Sequence, residues 1–290
     1  MIMNLFNIVE EIEKVDPEFN ERVSPRRDAI KNITSFGSKV AVAALPFALG
    51  GLFKKAYAAT PAAASVTDVL NYALTLEYLE SYFYNQGTAA AGLIPASDKA
   101  YIADITDDEN AHVKFLQDVI KQLGGTPVDS PKFDLTAGNG SGNGPFKDVL
   151  TNYQTFLAVS ETFEDTGVRA YKGAAPSLLG NQVVLTAALS IHAVEARHAS
   201  AIRYLRTIRG YEEIAVWINS TAGLGNDTGI ALVNGNYKGE DNVMQGGLDV
   251  SKLMDSNGKP IGQIDASAAF DEPLSMQDVL DLLVGSFIVH

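Results

Sequence analysis

The sequence predicts an all-α protein: a four-helix bundle with one long crossover between helices two and three, followed by an irregular C-terminal extension ending in a short helix. Three observations predict it. Two Glu-x-x-His quartets, Glu109-Asn-Ala-His112 and Glu195-Ala-Arg-His198, sit in segments of helical apolar period. A glutamate precedes each, Glu77 by 32 residues and Glu164 by 31, so a half-site is written twice. The two halves are separated by a run from Gly124 to Pro145 that is rich in Gly, Asn, Ser, Pro and Asp and has no helical period. Chance does not account for the quartets: 15 Glu and 4 His scattered over 290 residues give roughly 0.2 such pairs, and two are present.

The first helix is expected from about Thr67 to Gln86, with Thr67 or Asp68 as N-cap and Gly87 past its end. Leu70, Ala73, Leu74, Glu77, Ser81 and Tyr84 share one face, which is apolar except at Glu77. No Lys or Arg lies between Lys55 and Lys99 to neutralise that glutamate locally, and a metal ion is the usual resolution of an inward carboxylate. After a short connection, the second helix runs from about Asp98 to Leu123 with Ile102, Ile105, Glu109, His112, Leu116 and Val119 inward. The third is expected from about Phe146 to Tyr171, and Gly173-Ala-Ala-Pro176-Ser177 turns the chain into the fourth, which ends near Ile208. Ala188, Ile191, Glu195, His198 and Ile202 form its inward stripe. Past Gly210 the pattern changes to many Gly, Asn and Asp, with a possible hairpin at Asp255-Ser-Asn-Gly258 and a last helix opened by a Ser275/Asp278 capping box. The acidic residues of this extension are expected on the surface.

Composition narrows the chemistry. With no cysteine, disulfides, thiolate zinc sites, iron–sulfur clusters and thiol catalysis are excluded, and any metal is held by carboxylates and imidazoles. A net charge of −13 with no basic run beyond the N-terminus argues against a nucleic-acid partner. Residues 1–58 read as a bacterial signal peptide: Arg26-Arg27, an apolar run from Val40 to Phe53, then Ala56-Tyr57-Ala58. The segment resembles a twin-arginine signal, which implies export of a folded protein to the periplasm or beyond. An apolar run of 14 residues is short of the roughly 20 that span a bilayer, so no stable membrane span is expected after its removal. The domain plan is therefore 1–58 signal, 59–210 bundle and 211–290 extension packed on the bundle.

A carboxylate and an imidazole at i and i+3 lie on one face of a helix, one turn apart, where both can reach a metal pair. The expected ligands are Glu77, Glu109, His112, Glu164, Glu195 and His198. Helix three offers Glu161 as an alternative to Glu164, and the spacing of 31 against 32 favours Glu164. His192, one turn before Glu195, reads equally as a donor near the ligands, an extra ligand or a polar residue at the bundle edge. Tyr84 and Tyr171, each seven residues after a ligand glutamate, read first as core aromatics and second as hydrogen-bond donors to ligands or carriers of an oxidised intermediate.

With that pattern assembled, the mature chain resembles the bacterial ferritin-like family that includes the plant desiccation-related proteins. The resemblance rests on Leu76-Glu-Tyr-Leu-Glu80 with Phe83-Tyr84, Asp108-Glu-Asn-Ala-His112, Phe163-Glu-Asp-Thr-Gly-Val-Arg-Ala-Tyr171 with Gly173-Ala-Ala-Pro176, Val194-Glu-Ala-Arg-His198 and Phe270-Asp-Glu-Pro-Leu274. It implies a centre of two Fe or two Mn ions in which Glu109 and Glu195 bridge, while the other Glu and His of each half cap one ion. Four carboxylates balance two divalent cations, and six side chains leave positions open for oxygen, peroxide or water. Two function classes follow: redox chemistry on oxygen or peroxide, of ferroxidase, peroxidase or catalase type, or a non-catalytic protein whose metal staples the helices or is sequestered.

Overall fold

The computed structural model describes residues 65–211, 214–218 and 231–289. The chain divides into two units, Met1–Thr60 and Pro61–His290, and the description concerns the second. The export signal read in residues 1–58 lies outside the described residues. Four long helices, α1 (Val66–Ala89), α2 (Lys99–Gln122), α3 (Tyr153–Ala174) and α4 (Gln182–Ile208), make an all-α bundle. α1 packs along α2 and α3 along α4, and the two hairpins meet through α1 with α3 and α2 with α4. No helix among the described residues is long and apolar enough to cross a membrane.

The helix boundaries differ from the sequence expectation where a local cap or a tertiary contact sets the end of the helix. α1 starts earlier, at an N-cap on Ser65: its hydroxyl accepts from Asp68 N, and the Asp68 carboxylate accepts from Ser65 N at 3.0 Å. It also ends later, because Gly87 is a packing residue and not a terminator; a Cβ there would come within 2.3 Å of the Phe156 ring. α3 starts seven residues later than expected, after Asn152, whose side chain accepts from Gln154 N and Thr155 N. Phe146, expected to open that helix, is fully buried in the crossover and stacks on Phe287 with ring centroids 5.6 Å apart. The Gly173–Ser177 segment is not a simple turn, since α3 continues to Ala174 and a 3-10 turn, Ala175–Leu178, follows.

The crossover is held from two sides. Asp134 gathers Thr136 N, Gly140 N and Gly142 N on its carboxylate, and the backbone N–H of Asp134 donates to the carbonyl of Phe287. Toward α1, Asn71 exchanges hydrogen bonds with Thr126 O and Val128 N.

The C-terminal extension carries a two-stranded ladder, β1 (Met244–Gln245) with β2 (Leu248–Asp249), and two short helices, α5 (Gln263–Ala268) and α6 (Met276–Leu283). The ladder is closed by Gly246-Gly247, both at positive φ as a tight hairpin turn requires. The expected hairpin at Asp255–Gly258 is a tight turn with a single bridge, Met254 to Pro260, because proline has no N–H to extend a ladder. Ser275 caps α6 as the sequence predicts, accepting from Asp278 N at 3.1 Å. Among the described residues one acidic side chain of the extension departs from the surface expectation: Glu240 is buried and pairs with buried Arg169 at 2.8 Å. Arg169 also donates to the carbonyls of Asn236, Lys238 and Glu272, so one guanidinium from α3 ties down the extension.

The seam between α3 and the extension depends on Gly173, where a Cβ would fall 1.8 Å from the Leu274 carbonyl oxygen. Gly173→Ala must displace backbone. It is expected to destabilise the protein by about 1–3 kcal/mol and to expose the extension to limited proteolysis; a variant with the wild-type melting midpoint and cleavage pattern would contradict this.

Candidate metal centre

Each long helix brings its expected residues to the middle of the bundle. Glu77, Glu109, Glu164 and Glu195 are fully buried, and His112 and His198 nearly so. Both imidazoles turn Nδ1 inward. His112 Nδ1 lies 3.2 Å from Glu77, 3.3 Å from Glu109 and 3.4 Å from Glu195. His198 Nδ1 lies 2.8 Å from Glu109 and 3.4 Å from Glu164. Two overlapping sets result, Glu77-Glu109-His112-Glu195 and Glu109-Glu164-Glu195-His198, each with its candidate ligand atoms within 4.8 Å of one another. Glu109 and Glu195 belong to both.

The sets are poorly satisfied by protein groups alone. Glu109 Oε1, Glu164 Oε2, both Glu195 oxygens and His198 Nδ1 are buried without a hydrogen-bond partner; His198 Nδ1 and Glu109 Oε1 are 2.8 Å apart but not aligned for a hydrogen bond. Among the described residues no Lys or Arg pairs with these carboxylates. Their protonation behaviour has the same origin. Burial pushes Glu77 up to about 7 and Glu195 well above the carboxylate range. Burial also opposes charge on Glu109, but the imidazoles of His112 and His198 beside it prevail and hold it at about 2. Burial likewise disfavours imidazolium at His198, yet Glu164 and Glu109 raise it to about 11. The metal-free cluster draws in positive charge wherever it can, as a cation site does.

Around the sets lies a shell that the sequence only half disclosed. The Tyr171 hydroxyl donates to Glu77, and the Tyr84 hydroxyl donates to Glu164 while sharing a short contact with Ser160. Each half-site thus lends its tyrosine to the other half's glutamate, so these are donors to the site and not only core aromatics. The role of Asp108 was not anticipated: its carboxylate lies 3.2 Å from His198 Nε2, the ring nitrogen opposite the one that faces the cluster. The only local signal was its position beside Glu109. His192 is neither ligand nor donor to the cluster; its Nδ1 lies 2.9 Å from the Val168 carbonyl, and burial lowers its pKa. Glu161 is taken by arginines, with Arg206 at 2.7 Å and Arg203 at 3.1 Å, which leaves Glu164 to face His198. Glu164→Ala is accordingly expected to remove one of two bound ions, and Glu161→Ala to leave the metal count at two while lowering the melting midpoint. Metal analysis of both variants checks this, and the reverse pattern would exchange their roles.

Residues 65–207 match the family model described as a ferritin-like domain. The chain therefore carries a ferritin-like domain, and the four helices with their paired carboxylate–imidazole sets are that domain. No curated protein matches the chain.

Proposed function

We propose that the mature protein is an exported di-metal carboxylate protein that binds two iron or two manganese ions and acts on oxygen or peroxide in stress protection. The observation that carries the reading is the pair of overlapping ligand sets sharing Glu109 and Glu195, with their buried oxygens left unpartnered. Glu77 and His112 would hold one position, Glu164 and His198 the other, and Glu109 and Glu195 both. A pair of such ions supplies one-electron chemistry and sites for a small oxidant. The protein's part is orientation and exclusion of water. Tyr171 and Tyr84 fix the rotamers of Glu77 and Glu164, and Asp108 fixes the tautomer of His198. Fully buried Phe83, Ile102 and Leu157 belong to the dry core of the bundle.

An apolar cavity reaches Tyr171 beside the centre, while none of the six candidate ligands lines it. This cavity of about 420 Å³, lined by Leu70, Ala73, Leu76, Val184 and Ala188, has the exposed Val183 on its lining and extends to Tyr171, whose hydroxyl holds Glu77. Loaded with iron or manganese, the protein is expected to consume peroxide faster than the free ion, or, when reduced, to show an oxygen-dependent optical change. Failure of both would leave the second reading, a metal-stapled or metal-sequestering protein, which the complete burial of the four carboxylates favours.

The finer kinship with desiccation-related proteins and the export route belong to this proposal. For the first, the Gly173–Pro176 and Phe270–Leu274 motifs meet in the fold, with Gly173 against Leu274 and Lys172 donating to the Asp271 carbonyl. For the second, changing Arg26 and Arg27 to Lys is expected to leave an uncleaved cytoplasmic precursor, detected by fractionation; normal processing would point to another route.

A further inference from the structure

The two ends of the bundle, related by the internal repeat, are filled differently. Val69 and Phe156 each stand eight residues before the ligand glutamate of their half, and Ala188 and Ile102 each stand seven residues before the glutamate of a Glu-x-x-His quartet. At one end Phe156 stacks on Phe83 with ring centroids 4.7 Å apart, meets Tyr84 edge-on, and Ile102 is fully buried, so that end is packed. At the other end the same positions hold Val69 and Ala188, and both line the cavity of about 420 Å³. A ring and several methyl groups present in one half are missing from the other. A hollow left in a packed core costs stability that grows with its volume.

The lining also carries a polar group in want of a partner. Tyr72 stands five residues before Glu77, where the second half has Val159. It lines the cavity, is 9 % exposed, and its hydroxyl is buried without a hydrogen bond. A buried tyrosine hydroxyl ordinarily finds an acceptor. No Lys, Arg or His lines the cavity, and its one charged lining residue, Asp118, already pairs with Lys114 at 2.7 Å. An anion would therefore enter without a counter-charge. Phe115 of α2 and Val183 of α4, both exposed, mark the side on which the cavity meets solvent. Its volume falls within the roughly 300–1,000 Å³ of ordinary small-molecule sites.

We propose that this cavity binds a neutral apolar small molecule carrying a carbonyl-type acceptor, to which the Tyr72 hydroxyl donates. The site goes beyond the di-metal reading and does not depend on it, since none of the six candidate ligands lines the cavity. An occupant would lie against Tyr171, the ring whose hydroxyl holds Glu77.

The test is titration of the metal-free mature protein with prodan, a neutral naphthalene ketone whose emission moves to the blue in apolar surroundings. Wild type is expected to bind it saturably, one per chain, with a blue shift. Tyr72→Phe is expected to weaken prodan about three- to tenfold. Naphthalene, which has the rings without the acceptor, is expected to displace prodan and to bind wild type and Tyr72→Phe alike. Ala188→Leu, which grows into the hollow, is expected to weaken both ligands about tenfold or more. Melting midpoints at or above wild type report intact folds, because one change fills a void and the other removes an unpartnered hydroxyl. Absence of saturable prodan binding by wild type, or binding that survives Ala188→Leu, overturns the site. Equal prodan affinity in wild type and Tyr72→Phe, or an equal loss of prodan and naphthalene, overturns the bond from Tyr72. Should Tyr72→Phe fail to fold, Ala188→Leu still decides whether the cavity is the site.

Discussion

Glu109→Ala is expected to abolish metal binding at both positions, taking the content of the mature protein from two ions per chain to near zero. Glu109 is the residue whose loss reaches furthest because it approaches both imidazoles, at 3.3 Å from His112 and 2.8 Å from His198, and belongs to both ligand sets. Removing it leaves each position short of a carboxylate and removes one negative charge between two cations, a loss expected to exceed the roughly 10–100-fold typical of groups that only orient ligands. His198→Ala, by contrast, touches one set and is expected to leave one ion. Elemental analysis separates these outcomes, and unchanged stoichiometry in both variants would sink the assignment. A second readout is thermal: metal at about 100 times its dissociation constant adds roughly 2.7 kcal/mol to wild type, and this increment should vanish in Glu109→Ala. Binding should also strengthen as pH rises. Without metal, Glu77 titrates near 7 and His198 near 11, so both hold protons at neutral pH that the ion must displace. Proton release on binding, measured in buffers of different ionisation enthalpy, checks the sign.

The largest stability effect is expected one turn away from the centre, at Arg203. Its guanidinium is 1 % exposed and lies 2.5 Å from Asp165 and 3.1 Å from Glu161; Asp165 accepts a further bond from Tyr237, and Glu161 pairs with Arg206. Arg203→Met keeps the volume and removes the charge, leaving Asp165 deeply buried without its guanidinium. Breaking such a pair from one side costs about 3–5 kcal/mol. The sign with pH follows from Asp165, whose burial already raises its pKa even with Arg203 present. A buried acid with a raised folded pKa stabilises the fold at pH below its unfolded value and loses that contribution as pH rises through the folded value. The deficit of Arg203→Met should therefore be smaller in mild acid than at neutral pH. Chemical denaturation at the two pH values tests this, and an equal deficit at both would show that Asp165 is not the group left stranded. The centre depends on this network indirectly, since it holds Glu161 away from the metal ligands.

What the sequence by itself determined is what short-range periodicity can encode. Apolar residues three and four apart mark α1 to α4. Glu109 with His112, and Glu195 with His198, announce a shared face because one helical turn brings i and i+3 together. The repeat of 32 and 31 residues was enough to prefer Glu164 over Glu161. The end of α1 beyond Gly87 and the burial of Phe146 outside α3 were decided by which neighbours those residues meet, whereas the caps at Asn152 and Asn181 are local bonds to N–H groups two and three residues on. Only the tertiary structure showed that Tyr171 holds Glu77 across 94 residues of chain, that Tyr84 holds Glu164 across 80, and that Asp108 steadies His198 across 90. Such pairs leave no period in the sequence, because their separation is set by the crossover and by the packing of one hairpin on the other. The burial of Glu240 belongs to the same class: a carboxylate in a Gly- and Asn-rich stretch reads as solvated until Arg169 from a distant helix is found beside it.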